Sequence, residues 1–231
     1  MRTRHLSIAH GLAAAVLLSA SADITWACES PKPHMETTPS DVRAFFKSQG
    51  KLVLTFLGYS GAGYEDEAGL LRHVNAILDQ YSPSTTIVNI GATPDGIGRV
   101  YELAKQRGFT TSGIVSTQAR ESHASISPCV DHAFYIQDAT WGGFLAGTDR
   151  LSPTSAAMVD VSDRLVAIGG GEVSRDELVA ARRAGKDTTF IPADVNHRIA
   201  IEKAAKKGQP PPTDFRGAAD AVFGDRAKAK R

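Results

Sequence analysis

Leu52-Val53-Leu54-Thr55-Phe56-Leu57 runs without a charge into Gly58-Tyr59-Ser60-Gly61-Ala62-Gly63, and apolar residues then recur at Leu70, Leu71, Val74, Ile77 and Leu78. A strand covered on both faces reads as an unbroken apolar run, and the spacing that follows marks one face of a helix over 65–80. The unit is therefore strand, glycine-rich loop, helix. It repeats outward along the chain. Thr85–Ile90 is a strand running into Gly91–Gly98 and a helix that stops at Gly108, and Gly113–Ser116 and Ala133–Ile136 follow as strands. Ser152–Val161 reads as a helix, Leu165–Ile168 as a strand entering Gly169-Gly170-Gly171, and Ser174–Ala184 as a helix ending before Gly185. Thr188–Pro192 and a closing helix over Val195–Lys207 complete the series. Apolar strands alternating with amphipathic helices predict an α/β fold: a Rossmann-like three-layer sandwich with a mostly parallel sheet of about six strands. Crossovers of one hand then bring every strand-to-helix loop to the carboxyl edge of the sheet, where ligands bind.

The rest of the chain frames that domain. Hydrophobic residues are 42% of 231, enough for a sizeable core, and the net charge of +1 offers no general attraction to nucleic acid. Arg2, Arg4 and His5 precede the apolar run Leu6–Ala20, which His10 and Gly11 interrupt and which is short for a membrane span. Ala20-Ser21-Ala22 and Thr25-Trp26-Ala27 both fit a small-residue cleavage site, so residues 1–27 read as a signal peptide, with an uncleaved anchor as the alternative. The expected location is periplasmic or extracellular, with no membrane span after cleavage. There, Cys28 and Cys129 either pair or remain two thiols; sequence supplies no distance between them. Residues 28–39 read as a linker, Ser40 as the cap of a first helix, 40–208 as the domain, and 209–231 as a proline-rich and basic tail.

The chemistry concentrates in the loops. Glycine lets backbone approach a phosphate, and the next helix offers unpaired N–H groups and a positive dipole end. Each loop taken singly is also explained as a tight turn. The ligand-binding candidates are Gly58, Ser60 and Gly61 in the first loop; Thr93, Gly96, Gly98 and Arg99 in the second; and Gly170, Gly171 and Ser174 in the third. Arg99 is either a phosphate partner or a solvated helix charge, and Ser174 either a helix cap or a phosphate donor. Glu177 is either a catalytic acid/base or a carboxylate favouring the helix dipole. His123, Cys129, Asp131 and His132 have metal-ligand chemistry but no recognised spacing, so no metal or cofactor is expected. No G-x-S-x-G elbow, H-E-x-x-H or Walker lysine loop occurs, and an acidic ribose binder about 20 residues beyond the first loop is not obvious.

From Leu52 to about Lys206 the chain resembles the Rossmann-like superfamily of LOG proteins, lysine-decarboxylase-like in older usage, which are cytokinin-nucleotide phosphoribohydrolases. Gly58-Tyr59-Ser60-Gly61 resembles the first loop of that group and Gly91–Gly98 its second. Its PGG-x-GT-x-x-E signature falls on Gly169-Gly170-Gly171-Glu172-Val173-Ser174-Arg175-Asp176-Glu177. Gly170 and Gly171 match the glycine pair, Ser174 replaces the threonine, and Glu177 stands at the catalytic glutamate. Gly169 stands for the proline and Val173 for the third glycine. Thr154, in Thr154-Ser155-Ala156-Ala157-Met158, occupies the place of an arginine; Arg150 lies one turn earlier. A hydroxyl cannot make a guanidinium's bidentate contact to phosphate. The resemblance implies a small phosphorylated or nucleotide-like ligand and, since LOG-like domains often dimerise, a homodimer that no residue here demonstrates; the charge balance gives no nucleic-acid partner. The readings carried forward are a nucleotide-binding module, a hydrolase of a nucleoside monophosphate's N-glycosidic bond, and a non-catalytic scaffold with a vestigial site.

Overall fold

The computed structural model describes Cys28 and residues 31–225. The expected signal peptide, residues 1–27, lies outside the described residues, as does the end of the tail, 226–231.

The strands are β1 (Lys32–Thr37), β2 (Leu52–Gly58), β3 (Thr86–Ile90), β4 (Thr110–Ser116), β5 (His132–Ile136), β6 (Arg164–Ile168) and β7 (Asp187–Ile191). They form one seven-stranded sheet in the order β1-β5-β4-β3-β2-β6-β7, and every pairing is parallel. The seventh strand is the one the sequence hid. β1 falls in the segment expected as a linker and pairs Lys32 with His132 and His34 with Phe134. Its Pro33, with Pro31 just ahead of the strand, suits only an edge strand, whose outer amides need no partner. The apolar pattern is correspondingly weak, since β1 is half-exposed.

The helices are α1 (Pro39–Gln49), α2 (Glu67–Leu78), α3 (Arg99–Gln106), α4 (Gln118–Glu121), α5 (Pro153–Val161), α6 (Glu172–Arg183), α7 (His197–Lys206) and α8 (Ala218–Phe223). Helix α1 starts two residues earlier than a Ser40 cap predicts. Thr38 caps it in a capping box with Asp41, and Pro39 takes the first helical position, where its missing N–H costs nothing.

Alternate strand residues face alternate layers. Leu54, Phe56, Val88, Ile90, Val166 and Ile168 pack with Leu70, Val74 and Leu78 of α2 and with Val100, Tyr101 and Ala104 of α3. Val53, Leu57, Ile87, Ile114, Leu165 and Ala167 pack against α1, α5, α6 and Phe223 of α8. No helix of the described residues is long and apolar enough to cross a membrane.

The C-terminal segment expected as a loose tail is partly built into the fold. Helix α8 lays Phe223 against the core, with the Arg182 guanidinium over its ring. Ahead of it, the Gly217 N–H donates to Tyr59 Oη (2.7 Å) and the Ala219 N–H donates to the Gly170 carbonyl (3.2 Å). The strap therefore braces the first and third glycine loops at once. A Cβ on Gly217 would lie 2.1 Å from the Gly170 oxygen. We expect Gly217→Ala to cost about 1–3 kcal/mol in urea unfolding, the range for overpacking a tight site. An unchanged midpoint would show that the strap does not brace the loops.

Cys28 and Cys129 are joined in a disulfide, with Cα atoms 4.7 Å apart. It fastens the chain just before β1 to the turn leading into β5.

Candidate functional site

The direction of strand order reverses at β2. From there β3, β4 and β5 extend one way and β6 and β7 the other, so loops leaving β2 and β6 diverge and open a crevice at their carboxyl ends. A cleft of about 490 Å³ occupies this place. Its walls come from the loop after β2 (Gly58, Ser60, Gly61), the loop after β3 (Gly91, Thr93, Pro94, Asp95), and Val173, Ser174 and Glu177 of α6. Thr154 of α5, Ser116, Ser125 and Trp141 add polar and aromatic side chains, and Met158 of α5 an apolar one. No lysine, arginine or histidine is among the lining residues described.

Of the residues selected from sequence, Gly58, Ser60, Gly61, Thr93, Ser174 and Glu177 share this cleft. Gly96, Gly98, Arg99, Gly170 and Gly171 do not line it. Gly96 and Gly98 serve the turn: added Cβ atoms would fall 2.2 Å from the Tyr59 carbonyl and 1.9 Å from that of Thr93. This close packing lets the Ile97 N–H donate to the Tyr59 carbonyl (2.7 Å), locking the second loop onto the first. Arg99 is held by Glu67 and Glu102, each at 3.2 Å, so it belongs to a helix-surface ion pair. Arg150 is exposed and outside the cleft lining. Gly170 takes a φ of +119° and offers its carbonyl to the C-terminal strap.

Ser174 is not the helix cap. Helix α6 begins two residues earlier, with Gly171 at the cap position and no side-chain cap, and the Ser174 hydroxyl donates to the Gly58 carbonyl (3.1 Å). An uncapped helix start leaves its first N–H groups without intrahelical partners, and Val173 and Ser174 bring that end to the cleft.

Glu177 is buried with 4% exposure, yet it lines the cleft. Burial pushes its carboxyl up to about 7; the Ser155 hydroxyl, donating to Oε1 at 2.6 Å, opposes the rise, and Asp176 adds to it. A carboxyl near neutrality can give or take a proton. Ser155 also accepts from the Gly143 N–H (2.7 Å), which ties Glu177 to the loop between β5 and α5.

Four features of the cleft escaped the sequence reading: Trp141, Ser155, Asp138 and the state of Thr154. The Asp138 carboxylate accepts from the Thr154 N–H (2.9 Å) and from the N–H and hydroxyl of Thr140, both 2.8 Å. Burial alone would raise this carboxyl, but those donors hold it below the usual range. It thus caps α5 from a distance and seats Thr154. The Thr154 hydroxyl is buried on the Asp138 side although the residue lines the cleft, so the arginine position of the resemblance is filled here by a short neutral side chain. The signal available was Thr140-Trp141-Gly142-Gly143, a further glycine loop after a strand. The residues with metal-ligand chemistry are otherwise engaged: Cys129 is bridged and Asp131 pairs with Lys105 (2.7 Å). Among the described residues no group of three or more His, Cys, Asp or Glu is placed to hold a metal.

No family model and no curated protein matches the sequence. Solved structures do. A molybdenum cofactor carrier protein from Chlamydomonas reinhardtii is 21% identical over 78% of this chain and 96% of its own, with a TM-score of 0.44. The molybdenum cofactor binding protein from Rippkaea orientalis is 16% identical over 61% of this chain and 76% of its own (TM-score 0.45). TM1055, a structural genomics target, is 20% identical over 59% and 72% (TM-score 0.42). The sheet order and crossover loops make this chain a Rossmann-like α/β protein, and its loops resemble those of the LOG-like group in the residues quoted above.

Proposed function

We propose that the chain is an exported Rossmann-like domain that binds a nucleotide or related phosphorylated small molecule in the cleft beyond β2, β3 and β6. The observation that carries this reading is the convergence of residues from all three glycine-rich segments on one cavity of about 490 Å³, a size suited to a small molecule. A phosphate seated there meets the uncapped start of α6 and the hydroxyls of Ser60 and Thr93. Recognition then rests on amides and hydroxyls, without a cationic clamp. Export is supported by the N-terminal sequence pattern and by the Cys28–Cys129 disulfide, a bond that persists in oxidising compartments.

The test is thermal unfolding of the protein with nucleoside monophosphates, dinucleotides and ribose 5-phosphate. A ligand at 100 times its Kd stabilises by about 2.7 kcal/mol, a readily measured rise. No rise with any of them at millimolar concentration would remove this reading.

A hydrolase acting on the N-glycosidic bond is the second reading, favoured by the position of Glu177. With its carboxyl near 7, Glu177 can protonate a departing base. Incubation with nucleoside monophosphates should then release free base, and Glu177→Gln should lower that rate by about 10²–10⁴-fold. Full activity in the variant excludes the role, and ligand binding without turnover selects the binding module.

A further inference from the structure

We propose that Trp141 is a stacking platform at the mouth of the cleft, so that the ligand carries a planar aromatic ring beside its phosphate. This deepens the reading given above and rests on it.

Trp141 lines the cleft yet is 54% exposed, the most exposed large hydrophobic side chain among the described residues. What sets it apart is its place: an accessible indole on the wall of a cleft presents a broad apolar face to whatever enters. Its backbone is not a loose loop. The Thr140 N–H donates to Asp138, the Gly142 N–H to the Thr140 hydroxyl (3.2 Å), the Gly143 N–H to Ser155, and the Phe144 N–H to Asp176 (2.8 Å). Gly142 and Gly143 both take positive φ, +118° and +84°, and a Cβ on Gly142 would lie 2.9 Å from Ser155 Oγ and 3.1 Å from Val173. The segment is thus pinned to α5 and α6 on either side of the exposed ring. Its ordering cost is met in folding, which is the condition for a side chain to act as a rigid anchor.

The remainder of the lining points the same way. Phe56, the other aromatic residue of the lining, is fully buried in the core, so Trp141 supplies the aromatic face available to a ligand. Ala119, Ala124 and Ile126 add uncharged surface, and no lining cation competes for a ring or drives binding by charge. Stacking on indole tolerates many rings, so the specificity it supplies is for planarity.

The experiment uses the full chain carrying Trp26→Phe, which leaves Trp141 as the sole tryptophan. Adenosine 5′-monophosphate and ribose 5-phosphate are titrated by calorimetry and by indole fluorescence, in this background and with Trp141→Ala or Trp141→Phe added. Adenosine 5′-monophosphate should quench the indole and bind more tightly than ribose 5-phosphate. Trp141→Ala should weaken it about 5- to 150-fold, the range for one base stacked on an aromatic ring, while leaving ribose 5-phosphate unchanged. Trp141→Phe should recover most of the loss. Equal affinities for the two ligands, both indifferent to Trp141→Ala, would overturn the platform while leaving the cleft as a phosphate site. Binding of neither would overturn the nucleotide reading, and the platform with it.

Discussion

Replacing Cys28 and Cys129 together by alanine lowers the melting temperature by about 4–20 °C, because losing a native disulfide costs roughly 2–5 kcal/mol and each kcal/mol is worth about 2–4 °C in a domain of this size. The two cysteines are 101 residues apart, and a loop of about 100 residues lies near the top of the chain-entropy scale, at about 4.7 kcal/mol. The bond also holds β1 locally. This strand has one neighbour, β5, and the Lys32 N–H donates to the Asp131 carbonyl (3.0 Å) just beside the bridged turn. Without the bridge, β1 should exchange its amide hydrogens faster than β2, which is enclosed between β3 and β6. Calorimetry with and without a thiol reductant, followed by hydrogen exchange of the double variant, measures both effects. A melting temperature that ignores complete reduction would mean that β1 and the core carry the stability unaided.

Glu177→Gln changes the pH dependence of stability by about 3 kcal/mol, the free energy of moving one carboxyl from its ordinary 4.5 to about 7. The native state keeps the Glu177 proton over a range where the unfolded chain has released it. Stability from this group is therefore complete below about pH 4.5, falls as pH rises, and is lost above about 7. Glutamine stays neutral and can still accept from Ser155, so the variant lacks this slope. Relative to the parent, Glu177→Gln should gain about 3 kcal/mol between pH 4 and pH 8. Urea titrations at those two values decide it. Identical slopes in the two proteins would show that Glu177 ionises freely, and its candidacy as an acid at neutral pH would end. The measurement needs no ligand, so it stands apart from any test of substrate.

The sheet was legible where burial is two-sided. Val53 to Leu57 and Leu165 to Ile168 are buried among helices on both faces, so they spell uncharged, nearly continuous apolar runs, broken only by Thr55. β1 was illegible for the opposite reason: an edge strand with Pro33 inside it and mostly exposed side chains has no apolar run to announce. The C-terminal strap was hidden similarly, since Gly217 and Ala219 are fixed through backbone donors that any residue but proline carries. In the site, Gly58, Ser60, Gly61, Thr93, Ser174 and Glu177 were readable from their loops. Arg99 was misleading, because charge alone does not reveal that Glu67 and Glu102 claim the guanidinium.

By itself the sequence determined the repeating strand–loop–helix order, and with it a parallel sheet whose glycine loops lie at one edge, because periodicity follows from which faces are buried. Tertiary structure alone decided which polar atoms pair. The Ser155 hydroxyl joins Gly143 to Glu177, and Asp138 seats Thr154, through contacts among the loop after β5, α5 and α6. Such pairings join residues far apart in the chain by distances of about 3 Å, and local sequence pattern carries no information at that range.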